Sequence, residues 1–144
     1  MDDAPLALGS LLEGRYRLDR VVGEGGFGVV YAGWHVALDC PIAIKVVRIQ
    51  GRGSDLSLAF LEEAKLLSRL RHPNIVRVLD VGILPANDQT ALRGWLVMEW
   101  CEGSTLADHL SSERTRSPRE TWRLLAPAID AVATRAPPSR CRRI

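Results

Sequence analysis

GRYRLDRVVGEGGFGVVYAG, residues 14–33, is the stretch whose reading decides the fold. Residues 15–23 alternate well enough for a strand and run into a cluster of glycines. After Gly28 the β-branched and aromatic run VVYAGW reads as a second strand. The two form a hairpin whose turn is Glu24 to Phe27. Its glycine pattern, Gly23-x-Gly25-x-x-Gly28-x-Val30, lets backbone approach a ligand closely and offers amide N–H groups to phosphate oxygens. Taken alone, the pattern suits a tight turn as well as a phosphate site. A dinucleotide-binding turn fits less well, because there the third glycine opens a helix, and here a β-rich run follows.

Downstream, Pro41 introduces IAIKVVRI, residues 42–49, an almost continuous apolar strand interrupted by Lys45. A lysine in such a strand either snorkels to solvent from an edge or serves an anion. A helix follows from about Ser57 to Leu70, capped by Ser54 or Asp55, with Leu58, Leu61, Ala64 and Leu67 on its apolar face. Glu63, beside Ala64, lies on the side that packs, and Glu62 reads as a solvated charge. Pro73 stops the helix. Strands at 75–83 and 95–100 are joined by the polar loop 85–94, and helices are expected at about 105–110 and at 118–133. Strands with one interposed helix argue for an α+β fold rather than a wound parallel sheet. The connections among the second to fifth strands are short enough for antiparallel pairing.

Composition narrows the function classes. The 144 residues suit one domain with a real core, 47% hydrophobic and 25% charged, and a net charge of +2 argues against nucleic acid or a membrane surface as partner. Cys40, Cys101 and Cys141 are odd in number and widely spaced, which suits reduced thiols and no metal set. Asp2 and Asp3 stand where a secretory signal would be basic, and no stretch approaches the about 18 apolar residues needed to span a bilayer. A cytoplasmic protein is expected.

Five elements occur together in an order and spacing that resembles the protein kinase family. They are Gly23 to Val30, Ile42-Ala43-Ile44-Lys45, Glu63, His72-Pro73-Asn74-Ile75-Val76, and Val97-Met98-Glu99-Trp100-Cys101-Glu102-Gly103. The style of GRYRLDRVVGEGGFGVVYAG and RHPNIVRVLDVG is similar to bacterial serine/threonine kinases, over about Gly14 to Ala133. The resemblance implies a kinase-like N-lobe, a five-stranded antiparallel sheet with one packed helix, over residues 14–103 with the hinge. Residues 104–133 would begin an incomplete C-lobe, and 134–144 would be a basic Pro/Arg tail, disordered or out of frame. It further implies ATP as ligand. Gly23, Gly25 and Gly28 would cover the phosphates, and Lys45, steadied by Glu63, would hold the α- and β-phosphates. Val22, Val30 and Ala43 would sandwich the adenine, with Met98 beside it as gatekeeper. The backbone of Glu99 and Cys101 would bind the adenine edge, and Thr105 falls near the ribose position. His72 reads as structural.

The sequence then departs from the family. The kinase template needs an aspartate to orient the substrate hydroxyl, and an asparagine and a second aspartate to hold Mg2+. After the hinge only Asp108 and Asp130 remain, no asparagine follows Asn87, and H-R-D, D-F-G and A-P-E are absent. Beyond Ala133 the chain reads TRAPPSRCRRI, which no longer follows the family and reads as a frameshift or truncation, the alternative being an ordinary basic tail. The expectation is a serine/threonine kinase fragment without catalysis of its own, with substrate and regulatory partner unspecified. The alternative is a pseudokinase-like module that binds nucleotide or a partner.

Overall fold

Period-two alternation draws out the strands. In β4 (Cys40–Arg48), Ile42, Ile44 and Val46 are buried, while Ala43, Lys45 and Val47 are half-buried on the other face. The computed structural model describes residues 6–26, 28–49, 55–85, 91–111 and 117–133. Phe27 in the hairpin turn, the Ser54 cap, part of the loop after Pro85 and the tail after Ala133 lie outside these residues. The chain divides into two units, one within 1–68 and 77–100, the other within 69–76 and 101–144.

The first unit is a six-stranded antiparallel sheet in the order β1-β2-β3-β4-β6-β5. Its strands are β1 (Leu11–Leu12), β2 (Tyr16–Gly25), β3 (Gly28–His35), β4, β5 (Val78–Leu84) and β6 (Arg93–Glu99). Two expectations change here. Five strands were expected, and β1 is the sixth. Gly14, with φ of +65°, turns the chain so that Leu11 and Leu12 pair with Arg17 and Tyr16, and Leu12 is buried. The strands also do not pair in chain order. β6 inserts between β4 and β5 and pairs with both, leaving β5 as the edge strand, and its Trp95 and Val97 enter the core face.

The core comprises Leu12, Tyr16, Leu18, Tyr31, Ile42, Ile44, Val46, Trp95 and Val97. The sheet curls around it. β2 and β5 are separated by three strands in the sheet order, yet the Tyr16 hydroxyl donates to the Asp80 carboxylate, and Arg15 lies 3.0 Å from the same oxygen. Asp80 Oδ1 accepts from the Val81 backbone N–H at 2.9 Å, at an irregular step in the β5–β6 register. The Tyr16 ring packs against Trp95 and, edge-on, against His35.

Burial, with the hydrogen bond and negative charge of Asp80, pushes the Tyr16 hydroxyl up from 10.0 to about 12, against a smaller lowering by Arg15. The folded state therefore favours neutral Tyr16. Its contribution is complete below about pH 10 and is lost as pH rises towards about 12. Urea unfolding across that window should show the advantage of wild type over Tyr16→Phe shrinking as pH rises. A constant difference would refute the assignment.

Helix α1 (Asp55–Arg69) lays Phe60 against Gly94, where an added Cβ would strike the ring, and buries Ala64 one turn on. The expected apolar row is only partly used, since Leu58 is 62% and Leu67 43% exposed. The packed stripe is Phe60, Leu61 and Ala64.

In the second unit, α2 (Leu106–Ser111) and α3 (Pro118–Ala133) each begin with a reciprocal cap. The Asp108 N–H donates to Thr105 Oγ1 while Thr105 donates to the Asp108 carboxylate, and Ser117 and Glu120 repeat the arrangement. Neither helix has a buried residue, and Trp122, Leu125, Ile129 and Val132 of α3 are exposed. No described helix is long and apolar enough to cross a membrane.

Candidate functional site

Strand register gathers the expected residues. Lys45 stands opposite Val30 of β3 and Leu96 of β6, and Ala43 stands opposite Ala32 and Met98. Directly paired residues share a face. Val30, Ala43, Lys45 and Met98 therefore lie on one face of the sheet, opposite the core. Gly23 pairs with Val30 and Gly25 with Gly28, which places the glycine hairpin at the Lys45 end of this face. Val22 falls in the irregular step between Val21 and Gly23 and is 41% exposed.

Gly28 has a structural reason to be glycine. Its φ is +111°, and a Cβ there would collide with the Val46 carbonyl and lie 3.0 Å from Val47 Cα. Gly23, Gly25 and Gly26 have open space where a Cβ would be. One glycine thus presses the hairpin onto β4, and the others leave its backbone accessible.

α1 lies over the same face, because Gly94, beneath Phe60, pairs with Val47, two residues beyond Lys45. Glu63 follows Phe60 by three positions, on the same side of the helix. Glu63 is exposed, and among the described residues it enters none of the ion pairs, which are Arg15–Asp80, Arg17–Asp19 and His72–Asp130.

The Glu99 carboxylate accepts from the Arg77 N–H at 2.8 Å, and the Glu99 N–H donates to the Arg77 carbonyl at 3.1 Å, fastening the end of β6. Cys101, exposed, belongs to the second unit. So does Thr105, whose hydroxyl is committed to capping α2; these hydrogen bonds hold the Asp108 carboxyl below its ordinary value. His72 accepts at Nδ1 from the Asn74 N–H at 3.1 Å and reaches Asp130 through Nε2 at 3.1 Å. Both aspartates beyond the hinge thus have structural partners. Among the described residues, no three His, Cys, Asp or Glu side chains gather to hold a metal ion.

Sequence reading missed two contacts. One is the Tyr16–Asp80 closure, signalled only by an acid inside the apolar run VLDVG. The other sets the Arg20 guanidinium 5.7 Å from the centroid of the Trp100 ring.

A sheet curled on its core, with a glycine hairpin and a lysine on the face beneath a helix, is the architecture of a kinase small lobe. The kinase domain of PknI from Mycobacterium tuberculosis shares the fold, with a TM-score of 0.68 at 23% identity, covering 90% of this chain and 50% of that one. Residues 16–134 match the protein kinase domain family, and the chain belongs to it. Serine/threonine-protein kinase PrkC of Bacillus subtilis is 32% identical over 129 residues, covering 89% of this chain and 19% of PrkC. Serine/threonine-protein kinase PknB of Mycobacterium leprae is 31% identical over 122 residues, covering 84% of this chain and 19% of its own length. The chain thus spans about a fifth of the length of these relatives.

Proposed function

We propose that this chain is the ATP-holding part of a serine/threonine protein kinase, whose complete reaction moves the γ-phosphoryl group of ATP to a protein hydroxyl. The observation that carries this reading is the shared face of Val30, Ala43, Lys45 and Met98, with Gly28 pressed on β4 beside it. Gly23, Gly25 and Gly28 offer backbone N–H groups to the phosphates. Lys45 supplies a positive charge to the α- and β-phosphates, and Glu63 steadies it once α1 brings the two together. Val22, Val30 and Ala43 bracket the adenine, Met98 bounds its inner edge, and the backbone of Glu99 and Cys101 holds its polar edge. Residues 14–103 form the lobe with its hinge, and 104–133 begin the next lobe.

Phosphoryl transfer depends on metal ions and positioning. Asp108 and Asp130 are committed to Thr105 and His72, so neither suits a magnesium ligand or the base that orients the substrate hydroxyl. The chain by itself is therefore expected to bind nucleotide without transferring phosphate.

Calorimetric titration with ATP tests the binding half. Lys45→Met should weaken ATP affinity by about 10- to 100-fold, the range of a hydrogen bond to a charged group. Equal affinity in the two proteins would remove Lys45 from the site. For the second half, phosphate transfer to a generic protein substrate should not exceed that of the Lys45→Met control. A Lys45-dependent transfer would overturn it.

A further inference from the structure

Arg20, Ala32, Ala43 and Met98 form one row across β2, β3, β4 and β6. Arg20 therefore stands on the Lys45 face, at the outer end of that row. The two strands between β2 and β6 contribute only alanines to it. Three inter-strand steps of about 4.8 Å each separate β2 from β6, and the low side chains between leave room for the Arg20 and Trp100 side chains to approach each other from the two ends. The guanidinium reaches Trp100, the first residue after β6, and lies over its indole ring at 5.7 Å from the centroid. Arg20 is exposed and Trp100 half-buried, and both belong to the first unit. The contact thus joins the strand that leads into the glycine hairpin to the segment proposed to hold the adenine edge.

We propose that Arg20 and Trp100 form a clamp that sets how far the groove over the Lys45 face opens to admit and release a nucleotide. This rests on the ATP-binding reading above. β2 is held along one side by β3; on the other, β1 pairs with Tyr16 and Arg17, and Leu18 exchanges backbone hydrogen bonds with Gly9 and Ser10. Beyond Leu18, where that outer support ends, the Arg20–Trp100 contact ties β2 to the end of β6 across the Lys45 face. A planar guanidinium stacks on an indole where an ammonium makes only a point contact, so Arg20→Lys should act as a partial loss. Arg20 is a positioning residue here and does not touch the reacting atoms.

Two measurements on the full chain test the clamp. In nucleotide-free protein, Arg20→Ala should raise amide hydrogen exchange several-fold in residues 20–26 and leave β5 and β6 unchanged. In titrations with ATP, Arg20→Ala and Trp100→Leu should each weaken affinity about two- to fivefold, the range of an exposed cation–π contact. The double variant should be no weaker than either single one, with Arg20→Lys in between. Unchanged exchange in residues 20–26 would overturn the clamp, as would a rise spread evenly over the sheet. Additive losses in the double variant would do the same. Failure of the wild-type chain to bind ATP would sink the functional reading, and the exchange experiment would still decide whether the clamp exists.

Discussion

Asp80→Ala is expected to lower the unfolding free energy by about 2–3 kcal/mol. Three donors converge on this carboxylate: the Tyr16 hydroxyl, the Arg15 guanidinium and the Val81 backbone N–H. The Arg15 pair contributes least, because its side chain is half-exposed and surface ion pairs are worth about 0–1 kcal/mol. The Tyr16 hydroxyl dominates. Tyr16 is 3% exposed, so removal of its acceptor strands a polar group in the core, which costs about 1–3 kcal/mol. The effect should be non-local, since these bonds join β2 to β5 where no ladder does. Urea unfolding of Asp80→Ala, Tyr16→Phe and the double variant gives the coupling directly, and at least about 1 kcal/mol is expected. A loss within about 0.5 kcal/mol for Asp80→Ala, the ordinary surface range, would mean that the closure contributes little.

Gly28→Ala is expected to cost about 3 kcal/mol and to abolish ATP binding. The methyl group would meet backbone of β4, at Val46 and Val47, which cannot rotate aside as a side chain can, and the positive φ adds strain for any L-residue. The hairpin would have to lift, carrying its N–H groups away from Lys45. Gly25→Ala is the control, since its Cβ would enter open space and its backbone lies outside the left-handed region. It should leave stability within about 0.5 kcal/mol and weaken only the ligand. Thermal unfolding separates the two. Similar losses for both variants would mean that Gly28 is not the pivot.

Much of this was legible in the residues. Alternation located β2, β-branched and aromatic composition located β3, and a nearly continuous apolar run located β4, while Pro118 reads as the start of α3, where the structure also begins it. The residues of the Lys45 face were named in the sequence only through the family resemblance; which of them stand opposite each other is set by the register of β3, β4 and β6, which spacing within single strands does not reveal. β5 was read to begin at Ile75, but the strand begins at Val78. His72 and Asn74 tighten the turn before it, and the Ile75 N–H is taken by the His72 carbonyl. β1 was hidden, because a two-residue strand has no period. The Asp80 closure and the Arg20 stack join distant strands, and local pattern carries no record of which distant groups meet once a sheet curls.

The insertion of β6 between β4 and β5 has a consequence for biogenesis. On the ribosome, β1 to β4 emerge before β5 and β6, and β4 then waits for its second neighbour until residues 93–99 have been made. Until that point Ile42, Ile44, Val46 and Val47 line an open strand edge, rich in β-branched residues and interrupted only by Lys45. Such an edge templates intermolecular pairing, and its native partner arrives only after a long-range loop has closed. The nascent chain is thus most prone to aggregate between completion of β4 and completion of β6, and Lys45 then acts as a charge that discourages a neighbouring chain from adding to the edge.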